Sequence, residues 1–261
     1  MPGRERSFRI EAVVLKHNDW GEADRLLTLY SLELGKLRCI AKGARKPQSR
    51  KGGHLEPFTR VNLLLARGRD LPIVTQAETL NAFLFIKDSF LLTTYSSYVV
   101  ELLDRFTFEE GENRPLYHLL IETLDRLSAG ISPDLVIRYY ELRLLDLVGF
   151  RPRLFECVNC GDQVQPEDQF FSAERGGVVC PKCFKEVAGC RRITMLALKY
   201  LRHFQRSPFS EAMRAPLNPV LNQEIEAVLQ YYLVYVLERA LNTPPFLRRA
   251  RLAFPGKAED D

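Results

Sequence analysis

Two Cys-x-x-Cys pairs, Cys157-Val158-Asn159-Cys160 and Cys180-Pro181-Lys182-Cys183, stand with 19 residues between them. A two-residue gap lets two thiolates of one tight turn reach the same ion at about 2.3 Å, and two such turns complete a tetrahedron. The spacer falls in the range of four-cysteine zinc sites. Gly161 follows the first pair and Gly176-Gly177 precede the second, where tight turns need a permissive backbone. The pattern predicts a structural Zn2+ on Cys157, Cys160, Cys180 and Cys183; the competing readings are a pair of disulfides or buried free thiols. With all four ligands supplied by the protein, no position is open for a catalytic water, so the pattern marks a folded module rather than a hydrolase.

The chain has 261 residues, of which 46% are hydrophobic, enough to fill one large core or two to three small ones. The opening residues carry no apolar stretch of signal-peptide length. No run approaches the roughly 20 apolar residues of a membrane span. The expectation is a cytoplasmic protein with reduced thiols, where metal binding is favoured over disulfides. Cys39, in a strand-like run, and Cys190 read as structural or incidental thiols.

Charge is distributed unevenly. Residues 1–80 carry 15 Lys+Arg against 9 Asp+Glu, and no acid occurs between Glu33 and Glu56. That window holds Lys36, Arg38, Lys42, Arg45, Lys46, Arg50 and Lys51. A charge run is most often a solvated face. This one has a single sign, is punctuated by glycine and lies between strands, which points to a phosphate-binding loop.

The chain reads as an α+β multidomain protein. Residues 1–80 contain short strand-like runs: Phe8 to Lys16, a turn at Asn18-Asp19-Trp20-Gly21, then Arg25 to Tyr30, Lys36 to Ala41, Arg60 to Ala66 and Leu71 to Gln76. Five short strands suit a small OB-fold β-barrel, which would bind oligonucleotides on one open face. Residues 81–154 are helical, with apolar stripes from Tyr95 to Phe106, Leu116 to Leu127 and Leu135 to Val148. Ser132-Pro133 reads as a helix start and Gly149 as its stop. The zinc module at 155–190 is inserted in this helical part. Residues 191–254 supply C-terminal helices expected to pack with the helical domain, one from Thr194 and one over Asn222 to Leu241. Residues 255–261 form a polar tail. Lys199, Arg202, His203 and Arg206 share one helix face and form a second candidate basic contact, for which a solvated face is the simpler reading.

Catalytic patterns are missing. No Gly-x-x-x-x-Gly-Lys-Ser/Thr sequence or Gly-x-Ser-x-Gly elbow occurs, and the four histidines do not cluster in sequence. Asp19, Glu22 and Asp24 could bind Mg2+ in principle, but turn and capping duties explain them better. No catalytic residue is assigned, and the chain is expected not to be an enzyme. Two other classes would look different. A zinc-containing nuclease needs a carboxylate cluster or an open metal position. A zinc-ribbon accessory factor would contact protein or RNA.

The segment Gly35-Lys36-Leu37-Arg38-Cys39-Ile40-Ala41-Lys42-Gly43-Ala44-Arg45-Lys46-Pro47-Gln48-Ser49-Arg50, followed by Leu55-Glu56-Pro57-Phe58, resembles the N-terminal signature of the bacterial RecO recombination mediators. Glu22-Ala23-Asp24-Arg25-Leu26-Leu27-Thr28-Leu29-Tyr30 does so too, as does Leu147-Val148-Gly149-Phe150-Arg151-Pro152 leading into Cys157. The resemblance covers nearly the whole chain, in the order OB-fold, helical domain, zinc module. One departure is Leu241-Asn242-Thr243-Pro244-Pro245-Phe246, which replaces a more basic segment. The resemblance implies binding of single- and double-stranded DNA and annealing of complementary strands. It also implies action with RecR and with the C-terminal tail of single-stranded DNA-binding protein to load a recombinase. These roles belong to DNA repair and homologous recombination, in a cytoplasmic, nucleoid-associated protein.

Overall fold

Five strands close on themselves near the N-terminus of this computed structural model, which describes residues 7–109 and 111–254; the polar tail read at 255–261 lies outside the described residues. The strands are β1 (Ser7–Trp20), β2 (Asp24–Ser31), β3 (Gly35–Ala41), β4 (Arg60–Ala66) and β5 (Ile73–Asn81). Their order round the barrel is β1-β2-β3-β5-β4, with β4 returning to β1. All pairs are antiparallel except β3 with β5, which meet in parallel at Ile40 and Ile73. This is the five-stranded OB barrel. Alternation builds it: Val61, Leu63 and Leu65 of β4 point inward and are fully buried, while the residues between them are partly exposed. They meet Ile10, Ala12, Val14, Leu27, Leu29 and Cys39 in one core. Burial pushes the Cys39 thiol up to about 12, as befits a core residue rather than a nucleophile.

Strand β1 runs further than its sequence suggests. A register shift lies between Val14 and Lys16, and the ladder then continues through Asn18, Asp19 and Trp20, opposite Leu26, Arg25 and Asp24. Asp19 and Arg25 stand opposite each other in this ladder, but their side chains pair elsewhere, with Arg45 and Glu56 respectively. The turn is therefore displaced to residues 21–23, where Gly21 takes φ +55°, a conformation glycine adopts without a Cβ penalty. Strand β5 likewise extends to Asn81, pairing with Arg60.

Helices α1 (Leu84–Lys87), α2 (Phe90–Phe106), α3 (Arg114–Ser128) and α4 (Pro133–Leu147) follow. Then come β6 (Gln169–Ser172), β7 (Gly177–Val179), β8 (Arg191–Ile193), α5 (Met195–Arg206), α6 (Phe209–Ala212), α7 (Pro219–Leu237) and α8 (Thr243–Ala253). Side chains of Ser89, Asn113, Thr194 and Asn218 cap α2, α3, α5 and α7 by accepting an N–H of the first turn. The chain forms two compact units. One contains everything up to Ala129 together with the segment from Thr243; the other is Gly130–Asn242. The stretch read as one helical block, 81–154, is thus divided, with α1 to α3 in the barrel's unit and α4 with the cysteine module.

Within the first unit, α3 is tied to the barrel by Tyr117, whose hydroxyl donates to Glu11 Oε1 at 2.8 Å, the same oxygen that takes the Arg60 Nε at 2.7 Å. Helix α8 falls inside the 191–254 stretch expected to be helical, beyond the two helices named there, and it contains Pro244 and Pro245. They sit in its first turn, where the missing N–H groups need no intrahelical partner. The Thr243 N–H and hydroxyl both donate to Glu101 Oε2 of α2, at 2.9 and 2.6 Å. Within the second unit, α4 and α7 share a buried charge network in which Arg138 meets Glu141 at 2.9 Å and Glu226 at 3.5 Å. Strands β7-β6-β8 form a small sheet. Residue 177 must be glycine there, since a Cβ would stand 2.4 Å from the Arg153 carbonyl oxygen.

A second latch joins α2 to the barrel: Asp104 accepts from Lys16 Nζ and Lys36 Nζ, each at 2.7 Å. Burial raises the Asp104 pKa, but the two ammonium groups more than offset this and hold it below the usual range. A depressed carboxylate pKa contributes stability that is present above the unfolded value of about 4 and is lost as pH falls through the folded value. Asp104→Asn is therefore expected to destabilise the protein by about 2 kcal/mol at pH 7. The gap from wild type should close below about pH 4. Thermal melting across pH checks this, and a gap that widens in acid would contradict it.

Candidate metal centre and nucleic-acid interface

The four predicted cysteines converge. Their Sγ atoms all lie within 4.8 Å of one another, and a tetrahedron of bonds about 2.3 Å long has edges of about 3.8 Å. Cys160 Sγ and Cys180 Sγ are 3.9 Å apart, far beyond the about 2.05 Å of a disulfide. All six cysteines of the chain are free thiols. Each pair sits on a turn closed by its own backbone. The Gly161 N–H donates to the Cys157 carbonyl at 2.9 Å, and the Cys183 and Phe184 N–H groups donate to that of Cys180 at 3.0 and 3.1 Å. Cys157 and Cys183 pack with Val179 and Val187, and Cys190 joins the rim of this cluster without joining the four sulfurs. The Phe170 and Phe184 rings stack 4.2 Å apart beside it.

The electrostatics are compatible with a bound cation. Burial raises the Cys157 pKa, but N–H groups of Cys160, Cys180 and Asn159 outweigh it and bring the thiol down to about 6. Cys160 has an N–H from Asp162 favouring its thiolate, yet the three neighbouring sulfurs raise its pKa above the usual thiol value. One sulfur ionises readily and the next resists. A soft divalent ion removes that conflict by compensating all the negative charge at once. The donor set therefore fits a metal held by Cys157, Cys160, Cys180 and Cys183 with no open position.

The seven predicted basic residues divide into three groups. Lys36 is a structural cation: besides Asp104, its Nζ donates to the Asp104 and Thr107 carbonyls at 2.6 and 3.1 Å. Lys51 donates to the Val74 carbonyl at 3.0 Å, and Arg38 pairs with Glu109 at 2.5 Å. Arg45 is exposed and bridges to the β1–β2 turn, with Nη2 3.2 Å from Asp19 and Nη1 donating to the Glu22 carbonyl at 3.3 Å. Lys42, Lys46 and Arg50 are exposed and make no ion pair among the described residues.

The loop that carries them, leading from β3 to β4, is fixed at its root. Asp24 Oδ1 accepts the Gly43 N–H at 2.7 Å, and the Ala23 carbonyl accepts the Arg45 N–H at 3.0 Å. Further along, Arg25 donates to Glu56 at 2.9 Å. Asp19 and Asp24 thus do turn and anchoring work. The barrel's aromatics are mostly unavailable: Tyr30 and Phe58 are buried and Phe8 is partly so, whereas Trp20 is 49% exposed. The face expected at Lys199, Arg202, His203 and Arg206 is partly structural. Arg202 Nε donates to the Leu154 carbonyl at 2.8 Å, Arg206 lies 3.6 Å over the Phe155 ring, and His203 Nδ1 meets Ser207 Oγ at 3.2 Å.

Among the described residues, no helix is long and apolar enough to cross a membrane. Residues 6–83 match the family described as Recombination protein O N terminal, and residues 88–245 match Recombination protein O C terminal. A DNA repair protein RecO of Roseiflexus sp. (strain RS-1) is 40% identical over 95% of this chain and 87% of its own length. That of Pelotomaculum thermopropionicum is 37% identical over 97% of this chain and 98% of its own. That of Dehalococcoides mccartyi (strain CBDB1) is 34% identical over 96% and 98%. With the OB barrel, the four-cysteine centre and these matches along nearly its full length, the chain belongs to the RecO family.

Proposed function

We propose that this chain is a recombination mediator in DNA repair that binds single- and double-stranded DNA and anneals complementary strands without nucleotide hydrolysis. The observation that carries this reading is the anchored β3–β4 loop, which holds Lys42, Lys46 and Arg50 outward with no internal ion pair among the described residues. Its relatives carry the name DNA repair protein. Two complementary strands repel through their phosphates. Cations that neutralise one strand while leaving its base edges open lower that barrier. RecR and the acidic tail of single-stranded DNA-binding protein are the proposed partners. The reading carries no catalytic role, and it places the protein in the cytoplasm at the nucleoid.

Phosphate-led binding has a definite salt dependence. Each phosphate contact adds about 0.7 to the log–log salt slope on single strands and about 0.9 on duplex. Lys46→Glu with Arg50→Glu spares the anchor made by Arg45. It should flatten the slope and weaken binding on every sequence alike, and annealing followed by fluorescence quenching in buffer without ATP should slow in parallel. Normal DNA binding by this double variant would place the interface elsewhere, with the Lys199–Arg206 face next. An absolute need for ATP would defeat the mechanism.

The metal in this reading is zinc with a structural role, since four thiolates on two turns match its tetrahedral preference. Metal analysis of protein purified without chelator should give about one zinc per chain. Cys157→Ser should release it and lower the melting temperature, because a structural site contributes its binding energy to folding. Metal-free protein with an unchanged melting curve would rule the centre out.

A further inference from the structure

The tip of the β1–β2 hairpin holds a side chain that the phosphate-led reading does not use. Trp20 closes the turn opposite Asp24 and is 49% exposed. Its neighbours anchor the basic loop: Asp19 pairs with Arg45, the Glu22 and Ala23 carbonyls accept from Arg45, and Asp24 accepts from Gly43. Turn and loop therefore form one rim, bearing the exposed cations Lys42, Lys46 and Arg50. The indole makes no ring or cation contact among the described residues. Gly21, next to it, has open space where a Cβ would stand. The other aromatics of the barrel are buried or partly so.

We infer that Trp20 is a base-stacking platform that gives the basic rim its preference for single-stranded nucleic acid. This rests on the proposed DNA-binding role of the loop and adds a second kind of contact to it. Phosphates of single and double strands meet the same cations. A base face, however, is available only where the base is unstacked from a duplex. One ring can hold one base, so the edges of neighbouring bases stay open for pairing. The ring and the cations therefore divide the work: cations supply affinity for any strand, and the indole discriminates between strand states.

Trp20 is the sole tryptophan of the chain, so its emission reports this position alone. Oligo-dT titrated into wild-type protein should quench that emission saturably, over the concentrations at which it binds. A blunt duplex of equal length should bind with little quenching. Trp20→Ala should weaken oligo-dT binding about 5- to 150-fold and leave duplex binding and the melting temperature unchanged, with Trp20→Phe in between. Unchanged oligo-dT affinity in Trp20→Ala overturns the inference, as does an equal loss on both substrates. The Lys46→Glu, Arg50→Glu variant separates the two claims. If it binds both substrates normally, the phosphate reading fails. If Trp20→Ala alone binds normally, only the stacking role fails.

Discussion

The hydrogen bond from the Gly43 N–H to the Asp24 carboxylate sets where the basic loop stands. A long connection between β3 and β4 rich in like charges would otherwise be driven apart by its own repulsion. The turn joining β1 and β2 prevents this by taking the loop's first residues with one carboxylate and one backbone carbonyl. At the loop's far end, Glu56 accepts from Arg25 at 2.9 Å and lies 3.4 Å from His17 Nε2. Burial raises the Glu56 pKa, but Arg25 and His17 outweigh it and keep the group ionised. Both ends are thus held by strand residues of a closed barrel, so the backbone between them is already fixed for the phosphate contact proposed above. Ordering long side chains and loops on binding costs affinity, so a pre-anchored rim favours even a charge-led contact.

The four-cysteine centre solves a different problem. The segment from Leu154 to Gly189 contains little regular structure apart from β6 and β7, so its own apolar core is small. Four sulfurs within 4.8 Å are placed so that a bound metal would supply the cross-link that this core lacks. The backbone shows how tightly the segment is drawn: the Arg153 N–H donates to the Gly176 carbonyl and the Arg153 carbonyl accepts from the Val178 N–H, which leaves residue 177 no room for a side chain. With four protein ligands such a centre would leave no open position, and its contribution in the proposed reading is shape.

Much of this was legible in the sequence, for a physical reason in each case. The convergence of the four cysteines was legible because two-residue spacing imposes geometry before any tertiary contact forms. The barrel was legible because its inward residues alternate, as Val61, Leu63 and Leu65 do. What failed to show was partnership. Lys36 and Lys46 look alike in a basic run, yet Lys36 lies on a strand face covered by α2, where Asp104 and two carbonyls take its ammonium. Helix α8 lies in the 191–254 stretch expected to be helical, but its bounds were not legible, since prolines in a first turn carry no periodic signal. Trp20 was read as part of a turn because Asn18 and Asp19 are common turn residues; their pairing with Leu26 and Arg25 is a tertiary choice.

The central claim is that DNA meets the rim formed by the β1–β2 turn and the β3–β4 loop. Hydrogen exchange with and without a single-stranded oligonucleotide tests it most directly. The account predicts slowed exchange in residues 19–24 and 42–51, with residues 153–193 unchanged. Slowed exchange confined to residues 195–206, with the rim unaffected, would contradict it.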